Sequence, residues 1–231
     1  MANSLSGEQV RERNIVAMGS ELGELFTLLS TELTWLYWRW TQYVQLYADK
    51  PSRLEILNAS APTFFWIIQQ TLWLETILGI SRLAGPEATG KKQNLSVRRL
   101  LPLIADAGVR TDGQRLLVEV TSNSAFAMDW RNRHIAHRDL DLSLGRHVSA
   151  LAPASKEGVD AALDSLAALL NRIERHHLNS TTAYRHSSIT EDAENLLYVL
   201  RDGLRREQIR TERLESGEYR PEDWDDDAPA I

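Results

Sequence analysis

The segment Asp129-Trp-Arg-Asn-Arg-His-Ile-Ala-His-Arg-Asp139 concentrates the acid–base capacity of this chain. Eight of its eleven residues have side chains beyond the Trp that donate or accept protons or hydrogen bonds, while Ile135 and Ala136 supply an apolar anchor. Histidine, with an unperturbed pKa of about 6.5, serves as base or acid near neutral pH. Arginine, always charged and forked, suits a phosphate. These groups fit metal-independent cleavage of RNA. That reaction needs a base for the ribose 2′-OH proton, an acid for the leaving 5′-oxygen and a cation against the charge gathering on phosphorus.

Spacing restricts how these groups can meet. On a continuous α-helix, Arg131 and His137 lie roughly 120° apart. They converge only if the helix is distorted or a second chain completes the site. Arg133 and His137, four apart, share a face and form a competing pair. A plainer alternative is that Arg131, Asn132 and His137 tie down a helix end through backbone carbonyls. His134 and His137 could share a face as metal ligands. No carboxylate stands at ligand spacing, however, and Arg131, Arg133 and Arg138 repel a cation, so neither metal nor other cofactor is expected.

The elements that must position this segment are helical. Ile15, Met18, Leu22, Leu25, Leu29, Leu33, Leu36, Trp40, Val44 and Tyr47 recur at steps of three and four, the stripe of an amphipathic helix. The pattern predicts one long helix, or two nearly collinear ones, over about 7–48, with Ser6 as N-cap. A second helical run covers about 60–84. A shorter helix over 95–107 opens at Asn94 or Ser96 and is bent by Pro102. Residues 111–121 and 124–138 form two helices or one interrupted near Ser122-Asn123-Ser124. Val118-Glu-Val-Thr is a weak strand signal without a second strand to pair. Helices over 155–177 and 189–215 bury Val159, Leu163, Leu166, Leu170 and Ile173, and Ile189, Ala193, Leu196, Leu197, Leu200 and Leu204. Loops fall at 85–93, 139–153 and 178–188. The fold class these elements imply is all-α: an antiparallel helical bundle with a long N-terminal helix, one domain over 1–215, and an acidic tail over 216–231. Trp35, Trp38 and Trp40 on the first helix read as core plus an oligomer interface.

Composition excludes several classes. With 43% apolar residues the chain can bury a sizeable core. It has no Cys, which removes disulfides, thiolate nucleophiles and Cys-based zinc sites and fits a reducing compartment. The N-terminal residues lack the basic start and apolar run of a signal peptide, and no apolar stretch reaches the ~20 residues of a membrane span. A cytoplasmic location and no membrane contact are expected. The net charge of −6 argues against a chain basic all over. Glu215 to Ile231 alone carry seven carboxylates against Arg220, which leaves the body near neutral and open to local basic patches. No phosphate-binding Gly-rich loop or nucleophile elbow is present.

Arg131-Asn-Arg-His-Ile-Ala-His-Arg-Asp139, within an all-helical chain, resembles the signature of HEPN domains: an arginine, a polar neighbour, then a histidine a few residues on. Together with Asn94-Leu-Ser-Val-Arg-Arg-Leu-Leu101 and the helix carrying Glu75, Ile80 and Ser81-Arg82-Leu83, it is similar to the AbiU-type abortive-infection branch, over about residues 10–200. The resemblance implies a bundle that dimerises with the motifs of two subunits facing each other. It implies Arg131 on the phosphate, His137 as acid/base and Asn132 orienting one of them. Ribonuclease activity in a toxin–antitoxin or phage-defence system is the expectation, with RNA and an antitoxin or other protein as partners; a catalytically silent scaffold is the alternative. Arg133, His134, Arg138 and Glu75 are candidate substrate contacts. Glu75, between Leu72 and Leu78, is expected to be buried and paired with an arginine, with those of the motif as candidates. His176-His177 ends a helix, where imidazolium is favoured, and His186 lies in a solvated loop. Arg201, Arg205, Arg206, Arg210 and Arg213 alternate with acids in ordinary ion pairs. The acidic tail is solubilising, or alternatively a mimic of nucleic acid.

Overall fold

The computed structural model describes residues 5–48, 50–135, 140–145, 149–186 and 192–220. Ser6 opens α1 (Gly7–Met18) with a capping box, its side chain accepting from Gln9 N–H while the Gln9 side chain accepts from Ser6 N–H. The chain then turns at Gly19, whose φ of +86° suits glycine, into α2 (Ser20–Tyr47). These helices are not collinear. Arg11 reaches Glu24 at 2.8 Å, and the buried Asn14 donates to Thr27 Oγ1 at 3.0 Å, so α1 folds back along α2. Both segments keep the same helical phase in sequence, which hides the reversal.

Among the described residues seven more helices follow in order: α3 (Pro51–Ser60), α4 (Pro62–Ala84), α5 (Ala107–Asn123), α6 (Ala125–Trp130), α7 (Leu140–Ser143), α8 (Lys156–Leu178) and α9 (Asp192–Ser216). The expected 95–107 helix is instead a 3-10 turn, Val97–Leu103, capped by Ser96 and containing Pro102, which removes an N–H that an α-helix needs. The interruption expected near residues 122–124 is Ser124, which ends α5 and precedes α6. Val118 to Thr121 lie inside α5. A two-residue hairpin, Ala88–Thr89 with Lys92–Gln93, closes the loop after α4 in antiparallel register. The all-α expectation holds; this hairpin is the β-structure among the described residues.

The chain divides into two compact units. The first comprises Met1–Thr41 and Thr71–Ser188. Its core joins the α2 stripe (Leu22, Phe26, Leu29, Leu33, Leu36) to Ile77 and Ile80 of α4 and to α8. Val159, Leu163, Leu166, Leu170 and Ile173 are fully buried, as the periodicity predicts. Helix α5 packs along α8, with Arg172 bonded to Asp112 at 2.8 Å. Asp106 caps α5, and its bond from Val109 N–H holds the carboxyl below the usual range. The second unit comprises Gln42–Gln70 and Ile189–Ile231. Here Leu46, Leu57, Phe65, Ala193 and Leu197 cluster, and Arg53 binds Glu194 at 2.6 Å. Leu196, expected in that stripe, is exposed. Ile189 and residues 221–231 of the acidic tail lie outside the described residues.

Candidate functional site

The C-terminus of α4 leaves backbone carbonyls without helical partners. Side chains from the next segment take them up. Arg98 Nε donates to Ala84 O at 3.1 Å, Ser96 Oγ to Gly85 O at 2.6 Å, and Asn94 Nδ2 to Pro86 O at 3.0 Å and Thr89 Oγ1 at 2.8 Å. Both helix openers weighed from sequence therefore bind backbone here, and the 85–96 loop is fixed rather than loose. It forms one wall of a cleft.

The motif supplies another. After α6 the chain forms one π-helical turn, Arg131–Ile135, a local widening found often at functional sites. Arg131 opens this turn, and His137 lies outside the described residues. The turn is anchored by its neighbours. Asp129 accepts from Ala152 N–H at 2.8 Å and from Arg133 Nη1 at 3.3 Å. Arg133 also donates to the carbonyls of Ser149 and Ala150, and Trp130 Nε1 donates to Ala152 O at 2.8 Å. An aromatic row connects the turn to the core: Trp40 to Trp73 at 6.0 Å, Trp73 to Trp130 at 6.4 Å, Trp130 to His134 at 5.5 Å. Trp40 is itself held by Asp160, which accepts from its Nε1 at 2.9 Å.

Arg131 is used differently from Arg133. Its Nη1 donates to Asn132 Oδ1 of its own turn at 3.2 Å, and it has no ion pair with a carboxylate among the described residues. It lines a cleft of about 500 Å³ together with Ser81, Arg82, Thr89, Gln93 and Asn94. Arg82 is exposed and likewise has no ion pair among the described residues. Two guanidinium groups thus share one cleft, an arrangement suited to an anion. Residues from three stretches of sequence meet around it: Ser81 and Arg82, Asn94 and Leu95, and Arg131.

The chain matches the HEPN family model described as AbiU2 over residues 19–196. It belongs to that family. No curated protein and no solved structure matches it. As an AbiU2-family chain it is a HEPN-type protein, and the cleft draws Ser81, Arg82, Asn94, Leu95 and Arg131 from the segments that carried the resemblance.

The other sequence candidates of this AbiU2 chain fall in different places. His137 and Arg138 lie outside the described residues. Asn132 is exposed beside Arg131, and His134 is half-buried with its ring edge-on to Trp130. Arg133 bonds Asp129 and the carbonyls of Ser149 and Ala150, and its alternative pairing with His137 lies outside the described residues. Glu75 does meet an arginine, but its partner is Arg39 of α2 at 3.9 Å rather than one of the motif, and the carboxylate is 47% exposed rather than buried. His177 also differs from expectation. Burial, then the neighbouring His176, push its pKa down, opposed by a hydrogen bond with the Ala17 backbone. Its imidazole is driven neutral even though it stands at a helix C-terminus. Among the described residues no three His, Asp or Glu side chains converge as a cation site would require, and no helix is long and apolar enough to cross a membrane.

Sequence reasoning passed over Arg82, Asp129, Trp73 and Trp130 as individuals. Asp129 and Trp130 stood inside the polar segment, and their spacing to Arg133 and His134, four residues each, was the signal for their contacts.

Proposed function

We propose that this AbiU2-family chain is a metal-independent endoribonuclease of HEPN type, acting in phage defence or a toxin–antitoxin pair, with its site completed across a homodimer. The observation that carries this reading is Arg131, which lines a cleft of about 500 Å³ beside Arg82 and has no carboxylate partner among the described residues. A phosphodiester supplies the missing charge. In the reaction, a histidine takes the 2′-OH proton, and the 2′-oxygen attacks phosphorus. The P–O5′ bond then breaks, and a protonated group gives the leaving oxygen its hydrogen. The products are a 2′,3′-cyclic phosphate and a 5′-hydroxyl. His137 is assigned the proton transfers, Arg131 the phosphate charge, and Asn132, bonded to Arg131, its orientation. Arg131 of one chain and His137 of its partner complete each site across the dimer, and that one imidazole takes the 2′-OH proton and returns a proton to the leaving oxygen.

The experiment is cleavage of a mixed RNA pool in EDTA by the wild type, His137→Ala and Arg131→Ala. General acid/base groups contribute roughly 10²–10⁴-fold, so loss of the imidazole is visible above background. Cutting that survives EDTA and vanishes in both variants supports the reading. Equal cutting by wild type and His137→Ala overturns the assignment of His137. A folded wild type that cuts nothing favours the second reading, a silent HEPN-like scaffold that binds RNA or a protein such as an antitoxin. That reading draws on the exposed Phe64, Trp66 and Ile67 of α4, an apolar group of the kind that marks binding surfaces.

A further inference from the structure

A second cavity of about 440 Å³ shares Gly85 and Pro86 with the Arg131 cleft and is lined as well by Glu87, Arg98, Thr121, Ser124 and Met128. Ser124 is the residue that fixes its meaning. It is 1% exposed, its N–H is taken by Val120 O, and its Oγ is buried without a hydrogen-bond partner. It makes no capping bond to α6. A buried hydroxyl left unbonded is destabilising, and alanine would fill the same place without that cost. Its neighbours in the cavity are also poised rather than spent. Arg98 commits Nε to Ala84 O and Nη2 to Thr121 Oγ1, which fixes the guanidinium plane and leaves Nη1 to donate. Glu87 is held at the cavity by its backbone, whose carbonyl accepts from Asn94 N–H at 2.8 Å, and its exposed carboxylate has no partner among the described residues. Met128 adds an adaptable apolar surface of the kind that packs against a flat ring.

We infer that this cavity receives a guanine base whose phosphate lies in the Arg131 cleft across Gly85–Pro86. A carboxylate accepts two parallel N–H bonds. Guanine offers N1–H and the 2-amino group side by side, with O6 and N7 as acceptors for Arg98 and the Ser124 hydroxyl. Adenine and cytosine present a single amino donor, and uracil a single ring N–H. The base assignment rests on the nucleic-acid reading of the Arg131 cleft, and it gives that reading a specificity: cutting beside guanosine.

The test uses the full-length protein and the 3′-monophosphates of guanosine, inosine, adenosine, cytidine and uridine, with affinities measured by calorimetry. Guanosine 3′-monophosphate binds at least about tenfold more tightly than the other four; inosine 3′-monophosphate differs from it only by the missing 2-amino group. Glu87→Gln, an exposed substitution that leaves the core intact, brings the guanosine and inosine nucleotides to the same affinity. Ser124→Ala weakens the guanosine nucleotide without restoring any other. Equal binding of all five, no binding of any, or an undiminished guanosine preference in Glu87→Gln overturns the assignment. RNA cleavage separates the two readings. Guanosine-selective binding by a chain that cuts no RNA keeps the pocket and removes catalysis. Cutting next to all four bases alike, with no selective binding, removes the pocket and keeps catalysis.

Discussion

Arg131 and Arg133 stand two residues apart on one π-helical turn, yet their replacement has opposite expected consequences. Arg133 holds Asp129 and the backbone carbonyls of Ser149 and Ala150 in a partly buried network. Removing it leaves Asp129 and two carbonyls short of donors, so Arg133→Ala lowers unfolding stability by about 1–3 kcal/mol. Arg131 bonds only its exposed neighbour Asn132 among the described residues, and Arg131→Ala changes stability by about 0.5 kcal/mol or less. Its effect appears with RNA instead. If it neutralises one phosphate, the slope of log affinity against log salt for a single strand falls by about 0.7. Thermal unfolding and a salt titration of both variants check the division. An Arg131→Ala slope equal to wild type would take this residue out of the interface. The same contrast shows what could be read from sequence at this scale. The motif named both arginines, and their types gave the chemistry. Which of them was free depended on carbonyls 16 and 17 residues downstream of Arg133, which no local spacing encodes.

Helices were legible because burial enforces a 3.6-residue period on each, and α8 shows this most cleanly, with its whole predicted stripe at zero exposure. What periodicity does not carry is direction. The α1–α2 reversal depends on Gly19 for its positive φ and on Gly23 for close approach: a Cβ at Gly23 would meet the Asn14 carbonyl oxygen at 2.6 Å, and backbone cannot swing aside. Gly23→Ala therefore forces α1 off α2, at about 1–3 kcal/mol by the usual cost of overpacking; a variant as stable as wild type in urea would mean the helices are not packed this way. Helix α3 was not anticipated as a separate element, since ten residues without a strong apolar stripe give little signal. The far end of α1 makes a second contact, with His177 of α8 through the Ala17 backbone. Because burial lowers the folded-state pKa of His177, the unfolded chain binds the extra proton first as pH falls below about 6.5. Stability from this group is complete above that pH and is lost on acidification. His177→Gln should flatten the drop in melting temperature between pH 7 and 5, with the residual slope belonging to other groups.

Across the whole molecule, the proposed reaction asks for two motifs in one site, and subunit mixing separates that arrangement from a single-chain site. If Arg131 of one chain works with His137 of its partner, Arg131→Ala and His137→Ala homodimers are both inactive, because every site lacks one group. Unfolding the two together and refolding them as a mixture gives half heterodimers. In each heterodimer one of the two sites combines an intact Arg131 with an intact His137, and the other lacks both. Activity should then return to about a quarter of wild type. If Arg131 and His137 of the same chain form each site, every chain in the mixture remains broken and no activity returns. The π-helical turn at Arg131–Ile135 bears on this choice, because it alters the angular relation between the motif's first arginine and the residues C-terminal to it. Recovery in the mixture would show that this distortion presents Arg131 to a neighbouring chain. A dead mixture of folded, dimeric variants would show that it brings the arginine back to its own histidine, and the composite site would have to be abandoned.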